Sequence, residues 1–237
     1  MDKIKQHIKK IYDSSAESYG QAYKSKAGRF FMNKKLRTTY RLSNLNKEDK
    51  VLEIGCADGC YTFEFAKKGC NITGLDLSEE IIKTANRYNK SRSIKFKVGD
   101  VEKLPFDDES FDKIISFSAL RYLPSLDKAF SEIHRVTRKG GVIIIDFPNM
   151  LNPWFNYLKP LITGGTHPHD HSYTTHFIER KLRKHGFKHI KTKTILFTPK
   201  IVPNNLSFLF EITDNLLEKL PLINRLGAII MVKGVKR

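Results

Sequence analysis

From Lys50 onward, short apolar runs rich in β-branched residues alternate with longer segments of helical period, the pattern of βαβ units on a parallel sheet. The strands this predicts are Val51–Cys56, Asn71–Asp76, Ile94–Gly99, Phe111–Ser116 and Gly141–Phe147. A helix from about Gly59 to Lys68 follows the first strand. Ser78 reads as the N-cap of the next helix, with Glu79 and Glu80 in the positive first turn and Ile81, Ile82 and Ala85 on its apolar face. Ser125 caps another, whose Leu126, Ala129, Phe130, Ile133 and Val136 recur at three-to-four spacing until Gly140-Gly141 stops it. After Phe147 the alternation breaks. MLNPWFNYLKPLITGGTHPHDHSY leads to a helical segment, Thr175–His185, and a strand, Ile190–Phe197. An amphipathic LSFLFEITDNLLEKLPL then precedes a last apolar strand, Ala228–Val232. Ahead of the alternating region, Ile4, Ile8, Ile11 and Tyr12, then Tyr19, lie at helical spacing.

In a parallel α/β sheet, ligands bind beyond the carboxyl ends of the strands, near the point where the strand order reverses. The stretch VLEIGCADGC, residues 51–60, ends a strand and opens a loop with Gly55, Ala57 and Gly59 at alternate positions. Glycine lets the backbone approach a ligand, and the following helix aims its N-terminal amides there. A dinucleotide would ask for Gly-x-Gly-x-x-Gly, yet Ala57 and Cys60 stand at the second and third glycine positions. No Gly-Lys-Ser/Thr follows the strand, which excludes a P-loop. What remains is an acid on the first strand (Glu53), a Gly-x-small-x-Gly turn, an acid ending the second strand (Asp76) and an acid after the third (Asp100).

That combination, with GLDLSEEII, VGDVEKLPFDDESFDKIIS and SEIHRVTRKGGVIII, resembles the class I S-adenosylmethionine-dependent methyltransferases, in particular small-molecule enzymes of the quinone-biosynthesis type. The resemblance is close over Val51–Pro148 and one of layout outside it. It implies an α/β, Rossmann-like, seven-stranded and mostly parallel sheet with helices on both faces, the last strand antiparallel, and a helical cap. It implies one domain over residues 1–237: lid helices in 1–48, a cofactor core in 49–148, and cap insertions in 149–174 and 200–224. By the same resemblance, Gly55, Ala57 and Gly59 form a backbone bed for the methionine part of S-adenosylmethionine. Asp76, followed by Leu77, takes the ribose hydroxyls through its two oxygens. Asp100 accepts from the adenine amine with Val101 beside the ring, Ser116 and Phe117 line the methionine side, and Glu53 orients the loop. The family usually has glycine where this chain has Ala57.

The bulk numbers agree with a single globular unit: 237 residues, 40% hydrophobic and 11% aromatic, enough to bury a substantial core. Three cysteines, Cys56, Cys60 and Cys70, are too few for a disulfide framework and read as reduced thiols. The charged N-terminus lacks a signal-peptide pattern and no long uncharged apolar run occurs, which predicts a cytoplasmic protein. The net charge of +17 is unevenly distributed: +8 over residues 1–50, zero over 51–148 and +9 over 149–237. Placed around a neutral core, the surplus has two readings: lysines that solvate exposed helix faces, or a positive field that draws an anionic small-molecule or lipid acceptor, a membrane surface, or RNA. RNA methylation is the rival reading, but the fourth strand ends Ser-Phe-Ser-Ala119, without the Asn/Asp-Pro-Pro-aromatic of amino-group nucleobase methyltransferases. A non-catalytic cofactor-binding module is the third reading, and it predicts a damaged cofactor site.

Methyl transfer from a sulfonium needs alignment and exclusion of water, with a general base only for some acceptors. Candidate bases are His171, His169 and Tyr122, with Asp170 and His176 nearby. His167-Pro-His-Asp-His171 falls one residue short of the His-x-His-x-Asp-His of binuclear zinc sites and is read as a polar loop that holds no metal. Tyr19, Trp154 and His167 are the candidate acceptor contacts, with Phe155 and Tyr157 beside the sole tryptophan.

Overall fold

The computed structural model of the chain describes residues 3–153, 170–197 and 208–237, apart from the side chains of residues 22 and 208–211. Trp154, Phe155, Tyr157, His167 and His169 lie outside the described residues. Seven strands form one sheet in the order β3-β2-β1-β4-β5-β7-β6: β1 (Lys50–Ile54), β2 (Asn71–Asp76), β3 (Ile94–Val98), β4 (Phe111–Ser116), β5 (Thr137–Pro148), β6 (Phe187–Ile195) and β7 (Ile229–Lys236). β1 to β5 pair in parallel, and β7 runs antiparallel to both β5 and β6. The order reverses between β1 and β4, which places the crevice at their carboxyl ends.

The helices among the described residues are α1 (Lys3–Ser15), α2 (Lys26–Ser43), α3 (Cys60–Ala66), α4 (Glu79–Tyr88), α5 (Asp127–Val136), α6 (Thr175–Lys184) and α7 (Phe208–Leu217). Alternate strand residues serve opposite layers. Leu52, Ile54, Ile114 and Ile143 pack with Phe130 of α5 and Leu182 of α6. Val51, Ile72, Ile115 and Ile144 pack on the other face with Leu36 of α2 and Phe65 of α3. Burial on both sides is why these strands read as continuous apolar runs.

Two of the predicted boundaries are corrected. Ser125 accepts from the Asp127 amide at 3.3 Å, but the N-cap of α5 is Leu126, without a side-chain bond. Gly140-Gly141 does not stop α5, which ends at Val136 where Thr137 turns extended. The glycines belong to β5: Phe111 pairs with Thr137 but Lys113 with Val142, so β5 bulges, and Gly140 sits there at φ 75°. At Gly141 a Cβ would lie 2.7 Å from Thr137 Cγ2, whereas Gly140 has open space and is demanded by its backbone angle alone.

One buried ion pair ties α2 to the sheet. Asp146 on β5 is 1% exposed, and Lys35 Nζ reaches its Oδ2 at 2.6 Å. Asp146 Oδ1 accepts from the Ser118 amide at 2.5 Å, and Lys35 also donates to Ser118 Oγ at 3.1 Å. The ammonium lies 5.5 Å from the centroid of the Phe117 ring. Removing one member of such a pair leaves an uncompensated charge in a dry setting. Lys35→Met should therefore cost about 3–5 kcal/mol of unfolding free energy, and Lys35→Met with Asp146→Asn should recover most of it. Urea denaturation of the two variants measures the difference.

Candidate functional site

A cavity of about 800 Å³, counting its part open to solvent, lies beyond the carboxyl ends of β1, β2, β3 and β4. Each strand delivers its following residues to the wall: Gly55 and Ala57 after β1, Asp76 to Ser78 at the end of β2, Gly99 to Val101 after β3, Phe117 to Ala119 after β4. Tyr122 and Leu123 extend the last of these walls, and Lys5, Ile8, Lys9 and Tyr12 of α1, with Tyr19, close the cavity from the N-terminal side.

The loop after β1 is held by the end of β2. The amides of Gly55 and Cys56 both donate to the Leu75 carbonyl, at 2.7 and 3.1 Å. Three alternate loop residues take positive φ: Gly55 at 72°, Ala57 at 49° and Gly59 at 86°. Gly55 has a second reason to be glycine, since a Cβ there would stand 2.2 Å from Ala119 Cβ. The Ala57 amide donates to Asp76 Oδ2 at 2.9 Å and the Ser78 amide to Oδ1 at 3.0 Å. The Leu77 amide bonds to Asp76 as well; a carboxylate offers about four acceptor positions, so acceptor capacity remains for a ligand. Desolvation nevertheless raises its pKa, ahead of the lowering by these amides.

The N-terminal helix is fastened across the opening. Lys5 pairs with Asp100 Oδ2 at 2.6 Å and also with Glu102, while Asp100 Oδ1 accepts from the Glu102 amide at 2.9 Å. Tyr12 donates to the Tyr122 hydroxyl at 3.1 Å. Ser78 caps α4 by accepting from the Ile81 amide at 3.1 Å and donates its hydroxyl to Asp13. Burial pushes the Tyr12 and Tyr19 phenols well above their ordinary range, which makes both poor bases near neutral pH.

Most of the residues singled out from sequence meet here: Gly55, Ala57, Asp76, Leu77, Asp100, Val101, Phe117, Tyr19 and Tyr122 all line the cavity. Four others do not. Ser116 is fully buried and donates to the Ile54 carbonyl at 2.9 Å, so the β4 wall begins one residue later and includes Ser118, at φ 56°. Gly59 serves packing, because a Cβ would meet Phe96 at 2.7 Å. Glu53 lies behind the loop, 1% exposed, accepting from Thr62 of α3 at 2.5 Å. His171 is exposed: its neighbour Asp170 is held bidentately by Arg121, and the His171 amide donates to the Arg121 carbonyl at 3.1 Å. Among the described residues no histidine lines the cavity. Sequence reasoning missed Lys5 and Ser118. The spacing of Lys5, Ile8, Lys9 and Tyr12 was the available signal for the first, since these positions share one helical face.

Burial raises the Glu53 carboxyl to about 8 from an ordinary 4.5, overriding the Thr62 bond that lowers it. Between those values the folded state keeps a proton that the unfolded chain releases, so stability falls as pH rises through the window. Glu53→Gln should flatten that slope, which reaches at most ~1.4 kcal/mol per pH unit, in denaturation midpoints compared from acid to mildly alkaline pH. Ala57→Gly should leave the melting temperature unchanged or raise it, because relief of a left-handed alanine, about 1 kcal/mol, offsets the entropy of the extra glycine.

Residues 52–145 match the family model described as a methyltransferase domain. The chain is 39% identical over 98 residues to a sterol 24-C-methyltransferase of Gibberella zeae, covering 39% of this chain and 26% of that protein. It is 35% identical over 163 residues to an uncharacterized protein of Methanocaldococcus jannaschii, covering 68% of this chain and 59% of that one. The chain thus spans about a quarter to three fifths of the length of these relatives. Its fold is similar to that of an S-adenosylmethionine-dependent methyltransferase of Thermotoga maritima, described as a possible histamine N-methyltransferase. That match has a TM-score of 0.71 at 21% identity and covers 96% of this chain and 98% of the other. Strand order, loop and matched residues point the same way: residues 52–145 of this chain are similar to a methyltransferase domain, on a fold like that of the Thermotoga maritima enzyme.

Proposed function

We propose that the chain transfers a methyl group from S-adenosylmethionine to a small, lipid-like acceptor. The observation that carries the cofactor reading is the Asp76 carboxylate, which holds the Ala57 amide of the glycine loop and the Ser78 amide after β2 while both its oxygens stand at the cavity wall. That set suits a pair of vicinal hydroxyls, as a ribose presents. Gly55 and Ala57 offer backbone without bulk, and Leu77, Val101 and Phe117 offer apolar surface for a purine and a thioether. The space lies beyond the carboxyl ends of the strands at the point where their order reverses, where a parallel sheet takes its ligand. Bound there, S-adenosylmethionine supplies a methyl group already activated by its sulfonium.

The chain's own residues contribute placement and dryness. Asp76 and the loop fix position. Ile8, Tyr12 and Tyr19 cover the cavity and exclude water, which raises the value of every polar contact inside. Tyr122, hydrogen-bonded to Tyr12, stands at the wall shared by the β4 end and α1, where it positions an acceptor. The lipid-like class of acceptor is supported by the likeness to a sterol methyltransferase and by the apolar lining.

Calorimetry tests the cofactor: the chain should bind S-adenosylmethionine and its demethylated product, and Asp76→Ala should weaken both by more than tenfold, about 1.5–3 kcal/mol. Unchanged affinity in that variant removes Asp76 from the role. Transfer of a radiolabelled methyl group into lipid rather than RNA, protein or polar-metabolite fractions tests the acceptor class.

A further inference from the structure

Among the described residues ten large apolar side chains are well exposed, and eight of them fall in two short stretches, 150–151 after β5 and 212–226 from α7 to the start of β7. The other two, Tyr88 and Val98, stand apart. The two stretches are clamped side by side: Asn149 Nδ2 donates to the carbonyls of Arg225 and Gly227 at 2.8 and 2.7 Å, and Asn152 Nδ2 donates to the Leu226 carbonyl at 2.7 Å. Pro148 pairs with Ile229, so the patch sits at the carboxyl end of β5, the end of the sheet at which the cavity opens. Scattered apolar residues are ordinary on a surface, whereas a gathered patch marks a surface that meets something apolar.

The tip of the patch is strained as well as exposed. Leu222 has φ 70° and ψ −48°, and the Ile223 amide closes a three-residue turn by donating to the Pro221 carbonyl at 2.9 Å. This is the rarer, strained hand of γ-turn. Its central leucine is 71% exposed, so the chain holds an apolar side chain in water on an unfavourable backbone. Lys219 and Arg225, both exposed, flank it. The one acid in this stretch after Asp214, Glu218, is taken up by Lys34 and Lys193 at 2.6 and 2.7 Å.

We propose that this face docks on an anionic lipid bilayer, with Leu222 and Ile223 entering the acyl boundary and Lys219 and Arg225 meeting the headgroups. Apolar insertion and cationic attraction are each too weak alone and suffice together. The docking stands on this surface; only its use, to bring the cavity mouth to acceptors residing in the bilayer, rests on the methyl-transfer reading.

Co-sedimentation with vesicles of phosphatidylcholine containing phosphatidylglycerol tests it. The chain should sediment with these vesicles, less with pure phosphatidylcholine, and less as salt rises. Leu222→Asn with Ile223→Asn should lower partitioning by roughly tenfold or more. Both positions are exposed, so this variant should melt close to the parent. Its affinity for S-adenosylmethionine should be unchanged, which separates docking from the cofactor reading. Lys219→Gln with Arg225→Gln should abolish the preference for anionic vesicles. Failure of the parent to sediment with anionic vesicles overturns the proposal, as does equal sedimentation of the asparagine variant. A parent dimer in analytical ultracentrifugation that the asparagine variant dissolves would assign the face to a second copy instead.

Discussion

The carboxyl end of β2 holds the loop that leaves β1, and the cavity exists because of that grip. The Leu75 carbonyl takes two loop amides and the Asp76 carboxylate takes a third, so the loop is held by atoms of the neighbouring strand. Only a backbone with three positive φ angles in five residues satisfies that arrangement, which is why glycine stands at two of them and the alanine at the third is strained. Behind the loop, Glu53 and Thr62 join β1 to α3 with a buried bond, so the helix that follows is set from the same strand. Wall and scaffold are therefore one construction: the side chain that would receive a ligand is also the one that shapes its bed.

The cover over this bed is held by weaker means. α1 is fastened by ion pairs and hydroxyl contacts at its two ends, through Lys5 to Asp100 and Glu102 and through Asp13 to Ser78. A ligand group seeking Asp100 competes with the Lys5 ammonium for the same oxygen. The free energy of breaking that pair subtracts from the affinity of any ligand that uses Asp100. Such a cover trades affinity for dryness once the site is filled.

How much of this was readable in the sequence depended on whether the signal was local. Ser78 was legible because its hydroxyl acts on an amide three residues on, inside one stretch of text. The strands followed from the alternation of apolar runs, and Asp76 and Asp100 from their place at strand ends. Lys5 left only the trace of a shared helical face with Ile8 and Tyr12, because its partners lie 95 and 97 residues away and a lysine beside isoleucines reads as solvated. Ser116 and Ser118 were confused because both follow the same strand, and a positive φ at Ser118 decides which one turns to the cavity. His171 looked like a base as part of a histidine-rich loop; the Arg121–Asp170 pair, 49 residues apart, fixes the chain there and leaves the ring outside. Gly140-Gly141 has the composition of a helix stop, and only pairing with β4 reveals a bulge.

Adjacent lysines on α2 look in two directions. Lys35 reaches inward to Asp146 on β5, while Lys34 reaches Glu218 at 2.6 Å and Asp214 at 3.7 Å in the C-terminal part of the chain. Asp146 is the first residue past the stretch that matches the family model, and its counter-ion comes from a helix that precedes that stretch. A boundary drawn where likeness to relatives ends would thus run between a buried carboxylate and its cation. The stretch that resembles its relatives and the set of residues that pairs the buried charges differ in this protein, and the second is the one that has to fold.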